Sequence, residues 1–217
     1  MSDSKGRKTI SVLSPVMEKN RRIAAYNRKR FDERGLNVLN LISSPGAGKT
    51  TLLEVLVRRF GRAIAVIEGD VQTERDAERI RAAGAVAYQI ETHGACHLDA
   101  QRISDAFDRM VIPSECRILA IENVGNLICP STYDLGEHLK IGLLSLPEGD
   151  DKVLKYPPLF SRVDLLVVTK MDLLPHMDFD PDRVEAECRS LNPDVRCFRV
   201  SARTGEGIDA LCAELWG

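Results

Sequence analysis

Short apolar runs alternate with amphipathic segments along most of the chain. The runs have the length of buried strands, and the segments between them carry apolar residues at helical spacing. This alternation is typical of a parallel sheet with helices on both faces. The predicted strands are 38–42, 63–67, 86–90, 117–121, 141–146, 165–169 and 196–200, and the predicted helices are 51–56, 73–83, 98–110, 183–191 and 208–215. The pattern therefore predicts a three-layer α/β fold with a mostly parallel central sheet.

A further helical segment precedes the first predicted strand. Residues 14–34 carry an intermittent apolar stripe, and Gly35 is a natural helix end. We expect residues 1–35 to form an N-terminal helical arm and residues 36–217 to form the main domain. Basic residues cluster on this helix. We interpret them as a solvated face, with a nucleic-acid-binding surface as the alternative.

The charge balance of the chain gives no general attraction to polyanions. Its 217 residues include 30 Lys and Arg against 32 Asp and Glu, a formal net charge of -2. We therefore expect neither nucleic acid nor a membrane as a partner. No stretch approaches the roughly 18 apolar residues of a membrane span, and the polar beginning lacks the apolar core of a secretory signal, so we expect a cytoplasmic protein. Six cysteines then fit reduced thiols or metal ligands better than disulfides.

A glycine-rich loop lies between the first predicted strand and the helix that follows it. Residues 43–50 read Ser-Ser-Pro-Gly-Ala-Gly-Lys-Thr, close to the phosphate-loop pattern G-x-x-x-x-G-K-[ST], with Ser43 at the first glycine position. Backbone N–H groups and the helix dipole would bind phosphate. Lys49 would neutralise phosphate charge, and the Thr50 hydroxyl would bind Mg²⁺. The predicted phosphate-binding residues are Gly46, Ala47, Gly48, Lys49, Thr50 and Thr51.

Acidic residues at the ends of two further strands suit the same ligand. A nucleoside triphosphate with Mg²⁺ needs carboxylates for the metal and a glycine N–H near the γ-phosphate. Asp70 and Glu122 supply the carboxylates, and Gly125 the N–H group. The predicted catalytic residues are Lys49, Asp70 and Glu122, and the predicted Mg²⁺ ligands are Thr50, Asp70 and Glu122.

Two later loops predict recognition of guanine. Asp172 would accept hydrogen bonds from N1–H and the 2-amino group of guanine, which adenine lacks, so GTP and GDP are the expected nucleotides. Lys170 would lie against the base, and Ala202, after Ser201, would donate its N–H to the guanine oxygen. Thr169 stands where N-K-x-D has Asn, and we expect it to join the loops less firmly.

Cys96, His97 and Cys129 are candidate metal ligands. Two thiols and an imidazole suit Zn²⁺ or Ni²⁺, and a helix predicted to begin near residue 98 would lower the pKa of the adjacent thiol. Water, His93 or a second subunit would complete the coordination. The spacing is not that of a zinc ribbon, so small buried cysteines are the alternative. Burial is expected for the other cysteines, Cys116, Cys188, Cys197 and Cys212.

Four segments together resemble one family. Residues 68–77 (EGDVQTERDA), 94–101 (GACHLDAQ), 122–138 (ENVGNLICPSTYDLGEH) and 144–157 (LSLPEGDDKVLKYP) are similar to the hydrogenase nickel incorporation GTPases, the HypB family. The similarity runs from about residue 27 to the end of the chain. It implies a P-loop GTPase of the dimerising signal-recognition (SIMIBI) class over residues 36–217, with Cys96, His97 and Cys129 as its Ni²⁺ or Zn²⁺ site.

The resemblance also implies partners and a function. A GTP-dependent homodimer is expected, together with hydrogenase maturation proteins and the hydrogenase large subunit. The implied function is GTP-controlled delivery of nickel to a [NiFe]-hydrogenase. No cysteine precedes Cys96 and no histidine precedes His93, so we expect no separate nickel store. No glutamine follows Gly125 to orient water and no arginine finger is evident, so we expect slow GTP hydrolysis.

Three alternatives remain at this point. A urease-type nickel GTPase would carry a Cys-Pro-His motif, whereas this chain has Cys96-His97. A regulatory GTPase with structural cysteines would bind no metal in either nucleotide state. A P-loop kinase or ATPase would lack the guanine-recognition loops.

Overall fold

The structure, a computed structural model, describes residues 13–70, 75–92 and 94–216, with the side chains of Leu13, Ser14, Asp70 and Arg75 excepted. The strands are β1 Asn37–Ile42, β2 Ile64–Asp70, β3 Val86–Glu91, β4 Ile118–Glu122, β5 Leu139–Ser145, β6 Leu165–Thr169 and β7 Arg196–Arg199. The helices are α1 Leu13–Glu33, α2 Lys49–Phe60, α3 Arg75–Ala83, α4 Ala100–Arg109, α5 Cys129–Thr132, α6 Lys152–Lys155, α7 Pro157–Phe160, α8 Pro181–Leu191 and α9 Ile208–Trp216. Short 3₁₀ helices occupy Gly61–Ala63, Leu146–Glu148 and Met171–His176.

The sheet confirms the predicted fold class. Its seven strands lie in the order β3-β2-β4-β1-β5-β6-β7, and every neighbouring pair is parallel. All the strands therefore end at one edge, where a ligand site of such a sheet is expected. The start of the predicted helix 73–83 lies outside the described residues.

Two helical layers cover the sheet. Apolar residues of α2, α3 and α9 pack on one face together with Leu39 and Leu41 of β1. The other face carries α1 and α4 over β2 and β4, and α6, α7 and α8 over β5 and β6. Since both faces are buried, the central strands are almost continuously apolar, as the sequence pattern indicated.

Helix α1 rests on α4 and on the loop after α5. The fully buried Phe31 meets Phe107 edge to face at 5.0 Å. Asn27 Nδ2 donates to the carbonyl oxygens of Ala100 (2.7 Å) and Leu135 (3.1 Å). These contacts hold the helix against the segments that carry Cys96 and Cys129.

Several basic residues of α1 form ion pairs with neighbouring acidic side chains. Arg22 pairs with Glu18 and Lys29 with Glu33 along the helix, and Arg30 forms an ion pair with Asp108. Such exposed pairs contribute only about 0–1 kcal/mol each, so they organise the surface more than they stabilise it. No helix in the part of the chain that the structure describes is long and apolar enough to cross a membrane.

Three of the four cysteines expected to be buried are buried, namely Cys116, Cys188 and Cys212. The prediction is wrong for Cys197, which is only half-buried. Cys197 lies on β7, a strand at the sheet edge, where a neighbouring strand covers one side alone. Burial raises the pKa of Cys188 to about 12, so this thiol stays protonated and behaves as a small apolar side chain.

Candidate functional site

The glycine-rich loop forms the tight turn that the sequence predicts between β1 and α2. Gly46 and Gly48 adopt positive φ angles of 78° and 93°, which disfavour residues with a side chain. Helix α2 begins at Lys49, so its free N–H groups face the loop. Lys49 Nζ donates to Ser43 Oγ at 2.9 Å. Ser43, at the irregular first position of the motif, thus positions the lysine.

Lys49 lies among carboxylates in a mostly buried setting. Burial lowers the pKa of Lys49, while the negative charges of Glu122 and Glu68 oppose that change. Thr50 Oγ1 donates to Glu122 Oε1 at 3.0 Å. The structure therefore brings together three of the predicted residues, Lys49, Thr50 and Glu122. The predicted Asp70 ends β2, and its side chain is outside the described residues.

Glu68 is a site residue that the sequence analysis missed. It lies two residues before Asp70 on β2 and pairs in register with Glu122 of β4. Its side chain is 1% exposed. Burial raises the pKa of Glu68 to about 10, and the Glu122 carboxyl adds to the shift. The signal in the sequence was the spacing of Glu68 and Asp70, because alternate residues of a strand share a face.

The two glutamates leave hydrogen-bonding capacity unused. Among the described residues, Glu68 Oε1 and Glu122 Oε2 are buried without a hydrogen-bond partner. Both residues line a cavity of about 530 Å³ together with Lys49, Thr50 and Gly125. Buried carboxylate oxygens without a partner are costly, and oxygen ligands are those that Mg²⁺ prefers. This part of the cavity fits a divalent cation beside a phosphate group.

The loop after β4 approaches the phosphate loop closely at Gly125. A Cβ atom at Gly125 would lie 3.0 Å from Pro45 Cγ and 3.1 Å from the Pro45 backbone. A side chain would therefore push the two loops apart. Gly125 therefore lies against the phosphate loop, where its N–H group could meet a phosphate.

A second cavity, of about 220 Å³, adjoins the phosphate loop and contains the predicted base-recognition residues Lys170, Asp172 and Ala202. Asp172 Oδ1 accepts a hydrogen bond from Ser201 Oγ at 2.6 Å. This bond lowers the pKa of Asp172, so the side chain is an ionised acceptor at neutral pH. Such a group suits two adjacent N–H donors.

Two residues join the base-recognition loop to the phosphate loop. Thr169 Oγ1 donates to the carbonyl oxygen of Ala47 at 2.7 Å. Lys170, in a left-handed conformation with φ 62°, donates from Nζ to the carbonyl oxygen of Gly46 at 2.7 Å. Thr169 thus provides a direct link between the loops that the sequence analysis expected to be weak.

The three candidate metal ligands lie together. The ligand atoms of Cys96, His97 and Cys129 are all within 4.8 Å of one another. Cys96 is exposed and Cys129 is half-buried. Burial lowers the pKa of His97, which favours the neutral imidazole that binds metals. The expected contribution of His93 lies outside the described residues.

The expected lowering of the Cys96 pKa by a helix end is wrong. Helix α4 begins at Ala100 and not near residue 98, and the side chain of Asp99 already accepts from Arg102 N at the helix start. A hydrogen bond with Cys129 is the main cause that raises the pKa of Cys96. A metal ion that binds both sulfurs would displace the thiol protons.

His97 also has a neighbour that the sequence did not indicate. Its ring lies on Tyr133 with the ring centroids 3.9 Å apart. Tyr133 follows α5, the helix that begins with Cys129. The stacking contact therefore fixes the orientation of His97 relative to the segment that carries the second thiol.

Asn123 connects the candidate metal site with the end of β4. Its Oδ1 atom accepts from Leu98 N at 3.2 Å and from Val124 N at 3.0 Å. Its Nδ2 atom donates to Asn40 Oδ1 at 3.1 Å. Asn123 is 1% exposed and follows Glu122 directly. The buried side-chain amide of Asn123 thus joins Leu98, the residue after His97, to the end of β4.

A second link joins the same two segments. Asn126 Nδ2 donates to the carbonyl oxygen of Cys96 at 3.3 Å. In addition, Gly69 of β2 lies against Leu98, since a Cβ atom there would be 2.7 Å from Leu98 Cδ1. The segment with Cys96 and His97 therefore contacts β2, which carries Glu68, and the residues that directly follow Glu122 at the end of β4.

A phosphate loop at the carboxyl edge of a parallel sheet, with acidic strand ends and a base cavity, defines a P-loop nucleotide-binding protein. Residues 37–199 match the family model of the CobW/HypB/UreG nucleotide-binding domain. The chain belongs to this family, and within it to the hydrogenase maturation factors HypB.

Relatives and a solved structure give this assignment its detail. The chain is 50% identical over 201 residues to the hydrogenase maturation factor HypB of Azotobacter chroococcum, covering 92% of this chain and 66% of the relative. It is 49% identical over 205 residues to that of Escherichia coli K12, covering 94% of this chain and 70% of the relative. The chain thus spans about two thirds of the length of these relatives.

A crystal structure of HypB from Helicobacter pylori in complex with nickel is similar over 91% of this chain and 93% of that chain. The two chains are 43% identical, and the TM-score is 0.87. This likeness extends over most of both chains.

Proposed function

We propose that this chain is a GTP-hydrolysing metallochaperone that helps to insert nickel into the large subunit of a [NiFe]-hydrogenase. The observation that carries the proposal is the cluster of Cys96, His97 and Cys129, joined through Asn123 to the end of β4 beside the phosphate cavity. A nucleotide site and a thiol-rich site that share one polypeptide segment suit a switch in which each ligand changes the affinity for the other.

GTP and GDP are the proposed nucleotides. Asp172 presents an ionised acceptor, and Ala202 lines the same cavity. Guanine offers two adjacent donors to this carboxylate, whereas adenine offers no such pair, so guanine gains hydrogen bonds here that adenine lacks. Lys49 and the loop N–H groups would bind the phosphates.

Magnesium is the proposed cofactor, held by Thr50, Glu122 and Asp70, and it would neutralise charge on the phosphates. Lys49 would stabilise the negative charge that develops on the transferred phosphoryl group. The segment after Gly125 supplies Asn126 and Leu127 and no glutamine to orient water. We therefore propose slow intrinsic hydrolysis, with GTP acting as a timer.

Nickel, or zinc in its place, is the proposed cargo of Cys96, His97 and Cys129. Two thiolates and a neutral imidazole are ligands for both ions, and three ligands leave a position open. An open position suits a site that releases its metal to another protein. GTP-dependent pairing of two subunits, action in the cytoplasm, and hydrogenase maturation proteins as partners belong to the same proposal.

The coupling would pass from the nucleotide to the metal through the loop after β4. The γ-phosphate of GTP would meet Gly125 and fix the loop from Gly125 to Asp134, which contains Cys129. Asn123 and Asn126 hold this loop to Leu98 and Cys96. A shift of the loop would therefore change the distance between Cys129, which lies on the loop, and Cys96 and His97 on the neighbouring segment.

The experiment is a titration of the reduced protein with Ni²⁺ and with Zn²⁺. We expect one ion per subunit in the wild type and loss of this high-affinity binding in Cys96→Ala and Cys129→Ala, because each substitution removes a thiolate ligand. Cys197→Ala removes a thiol elsewhere in the chain and is the matched control, for which unchanged binding is expected. Equal binding by all four proteins would contradict the proposed metal site.

A further inference from the structure

Glu68 lies where a carboxyl group is costly. It is 1% exposed at the end of β2 and lies directly beside Glu122, its register partner on β4. Desolvation of two adjacent acids is unfavourable unless hydrogen bonds or a positive charge compensate for it. Lys49 supplies a compensating positive charge in the cavity, and its Nζ atom is hydrogen-bonded to Ser43.

Hydrogen bonds within the protein do not explain why a carboxyl group is buried at Glu68. Glu68 and Glu122 share a side-chain hydrogen bond, and Glu122 Oε1 accepts from Thr50. Glu122 Oε2 and Glu68 Oε1 nevertheless have no hydrogen-bond partner among the described residues. A buried acid that served packing alone would have its oxygens satisfied, as Glu137 does by accepting from Asn40 Nδ2 and Leu135 N. The free oxygens belong to residues that line the phosphate cavity.

We propose that Glu68 is a second carboxylate of the Mg²⁺ site and binds the cation, or water on it, jointly with Glu122. The proposal rests on the proposed function, since the cation is that of the nucleotide. A divalent cation compensates for two carboxylates at once, which Lys49 alone cannot do. Glu68 acts in metal and nucleotide binding, and no proton transfer is assigned to it.

Glu68 adds a carboxylate to the predicted Mg²⁺ ligands Thr50, Asp70 and Glu122 and replaces none of them. The predicted ligand Asp70 is two residues further along β2 than Glu68. Gly69 between them is pressed against Leu98. The end of β2 therefore faces the nucleotide cation with one side and the segment of the candidate metal site with the other.

The test measures binding of fluorescently labelled GDP while Mg²⁺ is titrated into the metal-free protein. In Glu68→Gln we expect a half-saturating Mg²⁺ concentration about 10-fold or more above that of the wild type, the usual effect of losing a metal-orienting group. GDP binding without Mg²⁺ should be retained. Glu68→Asp keeps the charge and should lie between the two proteins.

Glu185→Gln is the matched control, because Glu185 is also buried but lies on α8 away from the cavity. It should have the wild-type Mg²⁺ dependence. If Glu68→Gln had an unchanged Mg²⁺ requirement and a raised thermal stability from relief of repulsion, Glu68 would have a structural role only. That result would overturn the proposal. If the wild type itself bound no labelled GDP, the proposed nucleotide site would fail as well, so the two failures are distinguishable.

Discussion

Ser43 and Thr169, which depart from the usual nucleotide-binding patterns, both make hydrogen bonds within the phosphate loop region. Ser43 accepts from Lys49 Nζ, and Thr169 donates to the carbonyl oxygen of Ala47. Each hydroxyl thus makes a hydrogen bond at a position where the usual pattern has a glycine or an asparagine. A departure from a motif therefore has to be judged by the bonds that the new side chain makes.

Asp172 gives the prediction for nucleotide choice. In Asp172→Asn the acceptor for guanine becomes a donor-containing amide, so we expect GTP binding to weaken by about 100-fold or more. Xanthine carries a carbonyl group where guanine has its 2-amino group, and this carbonyl can accept from the new amide. Xanthosine triphosphate should therefore bind Asp172→Asn better than the wild type. Competition against labelled GTP measures both effects.

Asp105→Asn is the control for that experiment, because Asp105 is an exposed residue of α4 outside the base cavity. It should keep the wild-type order of GTP over ATP and xanthosine triphosphate. Equal displacement of labelled GTP by ATP in the wild type would contradict guanine recognition by Asp172.

At the scale of elements, the segment that follows β4 contacts both candidate sites. Asn123 bonds to Leu98 and to Asn40, and Asn40 Nδ2 donates in turn to Glu137 Oε1 at 3.0 Å. This chain of buried polar groups crosses from the candidate metal segment through β1 to the loop before β5. Satisfied buried networks are rigid, so they transmit small displacements.

Removal of the Asn123 side chain should uncouple the sites. In Asn123→Ala we expect the ratio of Ni²⁺ affinities in the GDP state and the GTP-analogue state to fall towards one, because Leu98 loses its link to β4. The variant should also lose about 1–3 kcal/mol of unfolding free energy, since Leu98 N and Asn40 Oδ1 lose a buried partner. Calorimetric metal titration and urea unfolding measure the two effects.

Asn192→Ala serves as the control, because the Asn192 side chain also makes a tertiary hydrogen bond, from Nδ2 to the carbonyl oxygen of Val163 at 2.8 Å. It should lose stability while its affinity ratio stays at the wild-type value. A wild-type ratio in Asn123→Ala would show that the coupling does not pass through this amide.

The sequence predicted the strands, their parallel arrangement and the phosphate loop because these depend on local pattern. Apolar runs, glycines and the Gly-Lys-Thr end of the loop are all visible in adjacent positions. Glu68, Asn123 and Tyr133 were not predicted, because their roles depend on neighbours that are distant in sequence. Glu68 meets Glu122 through strand pairing, and Tyr133 meets His97 through the path of two loops.

The start of α4 illustrates the same limit. The apolar pattern suggested a helix from residue 98, but the helix begins at Ala100 after the cap by Asp99. The main-chain N–H of Leu98 bonds to Asn123, so it is used in a tertiary contact and not in a helix. The thiol of Cys96 consequently responds to Cys129 and not to a helix end.

At the scale of the whole molecule, the all-parallel sheet brings the two sites to one edge. The ends of β1, β2 and β4 carry the phosphate cavity, and the segments after β3 and β4 carry the three candidate metal ligands. Helix α1 supports the segment that carries Cys129, through hydrogen bonds from Asn20 to Asp134 and from Asn27 to Leu135. The architecture thus places the phosphate cavity and the candidate metal ligands on shared segments.

The most direct test of the central claim is calorimetric titration of Ni²⁺ into the reduced wild-type protein, once with GDP and Mg²⁺ and once with a non-hydrolysable GTP analogue and Mg²⁺. We expect about one ion per subunit and an affinity that differs between the two states by about 5–150-fold, the usual range for coupled sites. Equal affinity and stoichiometry in both states would contradict the claim that the nucleotide controls the metal site.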